Sequence, residues 1–204
     1  MTERRRRTIR LPHYDYTSSG AYFVTVCSQG RRRVFGSVEM RSLLEEVWNQ
    51  IPDHFPTSRT DEFVVMPNHV HGIVWILEGD GPSAGQMLRQ PREVGARHAS
   101  PLRDDGGRPA GTPAGSLGAI IGSFKAAVAR RVHLAKGTPG QGVWQRGYYE
   151  RVVRNEDELR SVREYIRLNP LKWRFDRENP LRVADPHYTR EWAWIEAPRS
   201  QAEP

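Results

Sequence analysis

The sequence predicts an α+β chain in which an antiparallel sheet is covered by helices. Three observations carry that expectation. Short runs rich in β-branched and aromatic residues read as strands, and longer segments with apolar residues every third or fourth position read as helices. Their order is strand, helix, two strands, helix, strand, helix, which suits a layered α+β sandwich.

Residues 22–28 (Tyr-Phe-Val-Thr-Val-Cys-Ser) make the first expected strand, turned by Gly30 and the arginines after it. Residues 38–50 carry Leu43, Leu44, Val47 and Trp48 at helical spacing, and Pro52 ends that helix. A short strand at 63–66 leads through Pro67 and Asn68 into residues 70–77, the most apolar stretch of the chain. Val70, Val74 and Ile76 fall on one face of it and Ile73, Trp75 and Leu77 on the other, the pattern of a central strand packed on both sides. Gly, Pro, Ser and Arg then dominate, and residues 79–115 are expected to form a flexible insertion. Leu117, Ile120, Ile121, Phe124 and Val128 set one stripe of a helix over 117–134. Residues 143–153 read as an extended segment holding Trp144, Tyr148 and Tyr149. The last helix spans 155–169, with Asn155 as its N-cap, Glu156, Asp157 and Glu158 at its positive end, and Pro170 as its stop. The expected organisation is a basic arm at 1–10, one domain at 11–185 and a C-terminal tail at 186–204.

At 204 residues, with 37% hydrophobic and 27% charged residues, the chain can bury one sizeable core. No apolar run reaches the roughly 18 residues that span a bilayer, and no apolar segment follows the N-terminal arginines as in a secretion signal. A cytoplasmic protein without a membrane partner is expected. Cys27 is the single cysteine, which excludes an internal disulfide and a cysteine zinc cage. The net charge is +7 and the pI about 10.0, a balance suited to a polyanion. Arg4, Arg5, Arg6, Arg7 and Arg10 form an N-terminal basic arm, and Arg31, Arg32 and Arg33 a second cluster. With Lys125 and Arg146, the arginines at 4–7 and 31–33 are the candidate nucleic-acid contacts.

Two places could carry chemistry. His69 and His71 open the central strand, and residues two apart on a strand share a face, so both imidazoles can reach one ion. Asn68 precedes them as polar support. Tyr165 and Asn169, four apart on the last helix, lie side by side. A tyrosine oxygen can attack a phosphodiester in line, and a divalent ion nearby would assist by neutralising charge. Read from residues alone, paired structural histidines and a packed tyrosine remain the competing description.

Several strings, spread in order over residues 8–175, carry a resemblance. They are Leu-Pro-His-Tyr-Asp-Tyr (11–16) before Ala-Tyr-Phe-Val-Thr-Val (21–26), and Val-Met-Pro-Asn-His-Val-His-Gly-Ile-Val (65–74). Ile-Ile-Gly-Ser-Phe-Lys (120–125), Val-Trp-Gln-Arg-Gly-Tyr-Tyr-Glu (143–150) and Tyr-Ile-Arg-Leu-Asn-Pro (165–170) follow. The sequence resembles the IS200-like tyrosine transposases of the HUH class, most closely the REP-associated ones. The resemblance implies a ferredoxin-like sheet covered by helices, the HUH single-strand nuclease fold. It implies Tyr165 as nucleophile, His69, His71 and Asn169 as metal ligands, and Mg²⁺ or Mn²⁺ as the ion. It implies single-stranded DNA with imperfect palindromic, REP-like hairpins as substrate, cut and rejoined through a 5′-phosphotyrosine, by a monomer or a homodimer. Tyr148 and Tyr149 are the rival nucleophiles. The rival functions are a catalytically silent hairpin-binding protein of the same fold, a hydrolytic nuclease that forms no covalent adduct, and an RNA-binding module. A phosphoesterase with a duplicated motif is disfavoured, because His-x-His occurs once.

Overall fold

The computed structural model of the chain describes residues 14–78, 112–137 and 140–196. The arm at 1–10 and nearly all of the insertion expected at 79–115 lie outside these residues.

The described elements run β1 (Gly20–Cys27), α1 (Val38–Asn49), α2 (Ile51–His54), β2 (Ser58–Val65), β3 (His69–Ile76), α3 (Leu117–Lys136), β4 (Tyr149–Val153), α4 (Glu156–Leu168) and α5 (Pro186–Glu196). The four strands form one sheet in the order β2-β3-β1-β4, with every neighbouring pair antiparallel. Up to α4, strand and helix order with this sheet order make the ferredoxin-like arrangement that the resemblance implies.

Strand β3 is buried along its whole length because each face meets a core of its own. Val70, Val74 and Ile76 join Leu44, Val47 and Trp48 of α1 and Leu117, Ile120, Ile121, Phe124 and Val128 of α3. On the opposite face Ile73 and Trp75 meet Leu159, Val162, Tyr165 and Ile166 of α4. The sheet is therefore the middle layer of a sandwich.

Local signals set the helix starts. Ser37, Ser116 and Asn155 each accept a hydrogen bond from the backbone N–H three residues on. Glu158 also accepts from Arg154 N at 2.9 Å, which closes the start of α4 from both sides. Helix α3 ends at Gly137, whose φ of 61° is the left-handed conformation glycine adopts without steric cost.

Three boundaries differ from expectation by more than two residues. Strand β2 begins at Ser58, five residues early, because an edge strand tolerates the exposed Arg59 and the charged Asp61 and Glu62. The extended segment at 143–153 pairs as a strand only from Tyr149, with Trp144 bridging Ser28 ahead of it. The domain does not end at 185. Tyr188, Trp192 and Ile195 of α5 are buried in the α4-side core, so residues 186–196 belong to the packed unit instead of a tail. Tyr149 Oη and Arg151 Nη1 donate to the carbonyls of Ile195 and Trp194, holding the free end of that helix.

Candidate metal and tyrosine site

The site lies on the α4 side of the sheet, where β3 begins. Antiparallel pairing sets Cys27 opposite His69 and Thr25 opposite His71. The two histidines face the same way, with their Nε2 atoms 2.9 Å apart. Both are buried, at 0% and 2% exposure.

A chain of hydrogen bonds fixes the state of His69. Asn68 Nδ2 donates to the carbonyls of Arg31 (3.2 Å) and Glu178 (2.7 Å), which orients its amide. Asn68 Oδ1 must then accept, so His69 Nδ1 donates to it at 2.8 Å and Nε2 keeps its lone pair. Burial pushes the His69 pKa down to about 3, aided by the neighbouring His71, so the ring is neutral at physiological pH. His71 Nδ1 is 2.8 Å from Thr25 Oγ1, and its ring stacks on Phe23. Each imidazole thus has an outer partner that aims its Nε2 inward, as metal-bound histidines have.

Sequence reasoning missed the third group. Asp176, in the turns after α4, is 1% exposed, and its Oδ2 lies 3.7 Å from His69 Nε2 and 3.9 Å from His71 Nε2. Among the described residues, His69, His71 and Asp176 form a cluster whose ligand atoms lie within 4.8 Å of one another and could hold a metal ion. Burial opposes the charge on Asp176, but the two imidazoles facing it hold the carboxyl at about 2. Only a short turn of mixed charge (Phe-Asp-Arg-Glu-Asn-Pro, 175–180) surrounds this residue in the sequence, and nothing there distinguishes it from a solvated surface acid.

Tyr165 reaches the cluster from α4. Its Oη is 3.5 Å from His71 Nε2, and its ring packs against Phe23, His71 and Trp192. The side chain is 3% exposed. Asn169 caps the same helix, and both polar atoms of its amide are buried without a partner among the described residues. Such orphaned atoms mark places where an ion or water completes the structure. The structure brings Tyr165, His69 and His71 together and leaves Asn169 buried one turn along. Tyr149 is engaged elsewhere, with its hydroxyl on the Ile195 carbonyl.

The basic candidates divide. Arg31 pairs with Glu178 at 2.9 Å, and Arg32 donates to the carbonyls of Gln29 and Gly142. Lys125 Nζ donates to the carbonyls of Gln145 (2.8 Å) and Gly147 (2.9 Å), clamping the loop before β4. Arg33 and Arg146 are exposed and have no side-chain partner among the described residues. Arg4, Arg5, Arg6 and Arg7 lie outside those residues. No helix among the described residues is long and apolar enough to cross a membrane.

Over 179 residues the chain is 35% identical to an uncharacterised protein of Haemophilus influenzae, spanning 84% of this chain and 91% of that one. The two belong to one family. A second Haemophilus influenzae protein, provisionally described as a REP-associated tyrosine transposase, is 21% identical over 168 residues, 78% of this chain and 74% of its own. No protein-family model matches the chain. Among solved structures, a REP-associated tyrosine transposase bound to a REP hairpin aligns with a TM-score of 0.49 and 21% identity, over 85% of this chain and 74% of that one. A Deinococcus radiodurans protein provisionally assigned as a transposase aligns with a TM-score of 0.42 and 17% identity, over 78% and 95%. At those scores the likenesses add nothing to the fold, which the sheet order itself establishes.

Proposed function

We propose that the chain is a REP-associated tyrosine transposase: a metal-dependent enzyme that nicks and rejoins single-stranded DNA at palindromic hairpins, with Tyr165 as nucleophile. One observation carries this reading. The Tyr165 hydroxyl sits 3.5 Å from His71 Nε2, at the edge of a buried cluster of two imidazoles and a carboxylate. The motif strings at 65–74 and 165–170, and the 21% identity to the relative so described, support it.

The donor set fits a divalent ion. His69 offers a neutral nitrogen, Asp176 an oxygen without a hydrogen-bond partner, and Asn169 an amide with both polar atoms unmet. His69, His71 and Asn169 would hold Mg²⁺ or Mn²⁺. Bound there, the ion supplies Lewis-acid neutralisation of the scissile phosphate and of the departing oxygen.

The remaining chemistry belongs to the chain. Tyr165 Oη forms a bond to phosphorus, the bond to the 3′ oxygen breaks, and the DNA stays attached as a 5′-phosphotyrosine with a free 3′ hydroxyl. Rejoining reverses the step, with a 3′ hydroxyl displacing the phenol. Phe23 and Trp192 hold the ring, so that its oxygen attacks from one direction. Because the phenol is 3% exposed, a DNA backbone reaches it only when the segment packed over it shifts. Arg33 and Arg146 are free to meet phosphates.

The test uses oligonucleotides carrying the palindromic repeats beside the gene, with Mn²⁺, and a denaturing gel. A covalent adduct that vanishes in Tyr165→Phe and with chelator is the expected result. DNA that is bound but uncut across several repeats and both metals would move the assignment to a silent hairpin-binding protein.

A further inference from the structure

Asp176 is more completely arranged for a ligand than any other acid among the described residues. Its Oδ1 accepts the Glu178 backbone N–H at 2.6 Å, which fixes the carboxylate plane. Its Oδ2 has no hydrogen-bond partner and lies 3.7 and 3.9 Å from the two Nε2 atoms. Those distances are too long for hydrogen bonds, so the buried oxygen is aimed at the space both imidazoles face and is satisfied by neither. Such an oxygen, buried and without a hydrogen-bond partner, is where a cation would complete the structure.

The supporting contacts are complete. Asn68 orients His69, Thr25 meets His71, and the Glu178 N–H orients Asp176. The segment bearing Asp176 is itself fastened to the sheet side. The Glu178 carbonyl accepts from Asn68, and its carboxylate accepts from Arg31 and from the Cys27 thiol. Trp173 lies against His69, with ring centroids 5.9 Å apart. The position of Asp176 is thus set by contacts independent of any ion.

We propose that Asp176 is a direct metal ligand, whose loss releases the ion. The resulting two-imidazole, one-carboxylate centre favours a first-row transition ion such as Mn²⁺ over Mg²⁺. Imidazole nitrogen binds transition ions better than magnesium, which prefers an all-oxygen shell and gives up its waters reluctantly. The inference deepens the reading above and rests on His69 and His71 forming a metal site.

The experiment titrates the full-length protein with Mn²⁺ alone and follows loss of the free-ion signal by electron paramagnetic resonance, with a thermal melt alongside. The wild type should bind one Mn²⁺ per chain and keep it against about a hundredfold excess of Mg²⁺. Asp176→Asn should weaken binding about 100-fold. Without metal, Asp176→Asn should still melt cooperatively, so that lost binding is not mistaken for lost structure. Unchanged Mn²⁺ binding in Asp176→Asn, or displacement by equimolar Mg²⁺, overturns the proposal. His71→Ala separates the two levels. If it too binds as wild type, the metal centre itself is absent and the functional reading falls with it. If it loses Mn²⁺ while Asp176→Asn does not, only the role of Asp176 is wrong.

Discussion

Tyr165 Oη and His71 Nε2 stand 3.5 Å apart across the boundary between α4 and the first residues of β3. The contact is long for a hydrogen bond. Tyr165→Phe keeps the ring against Phe23 and Trp192, so the variant should remain folded. Adduct formation should disappear altogether. Tyr149→Phe should retain the adduct, because that hydroxyl is committed to the Ile195 carbonyl. Gel assays of both variants decide the matter, and an adduct surviving in Tyr165→Phe removes it as nucleophile.

Asn68 does two jobs with one amide. It accepts from His69 Nδ1 and donates to the carbonyls of Arg31 and Glu178. Asn68→Ala strips the outer partner from His69 and should lower metal affinity about 10–100-fold. It also leaves buried carbonyls and a ring N–H unmet, at a cost of about 1–3 kcal/mol for each group that water cannot reach. Mn²⁺ titration and urea unfolding read the two effects separately. Unaltered Mn²⁺ affinity in a folded Asn68→Ala protein would show that His69 needs no such support.

The sequence made some of this legible and hid the rest for physical reasons. Strand β3 was readable because a strand apolar on both faces has to be central, and both cores indeed meet on it. Helix α4 was readable because Asn155, the acids after it and Pro170 mark its ends. Asp176 was hidden because tertiary closure makes it a partner of His69, and a charged residue in a turn carries no periodic signal. Helix α5 shows a different failure. Tyr188, Trp192 and Ile195 sit at helical spacing, but the segment is short and follows a polar stretch, so by sequence alone it reads as a tail. Lys125 and Arg31 also hold backbone carbonyls and Glu178, contacts that composition cannot reveal.

Gly72 lies between His71 and Ile73, where the indole of Trp48 crosses the strand. A Cβ there would stand 2.5 Å from Trp48 Cζ2 and 2.6 Å from Cη2, with Phe63 Cδ2 at 3.0 Å. Trp48 is fully buried and stacked on Phe63 at 4.4 Å, so it has nowhere to retreat. Gly72→Ala should therefore destabilise the fold by about 1–3 kcal/mol. The urea midpoint measures this, and a midpoint equal to wild type would mean that the indole yields without cost.

Asp61 gives the fold an acid-sensitive joint between β2 and α4. Its Oδ1 accepts from Arg163 Nε at 3.0 Å, and its Oδ2 accepts from Arg163 Nη2 at 2.5 Å and from Trp75 Nε1 at 3.0 Å. Burial works to raise the carboxyl pKa, but the guanidinium and indole N–H groups outweigh it, and the net direction is down. A group whose folded pKa is depressed contributes stability that is present above its unfolded value, near 3.8, and is lost as pH falls through the folded one. The wild type should therefore lose stability as pH falls below the ordinary aspartate range. Asp61→Asn should be less stable near neutrality and fall less steeply in that acid window. Urea midpoints collected from neutral to acid pH test both parts, and parallel curves for the two proteins would rule out Asp61 as a source of the acid sensitivity.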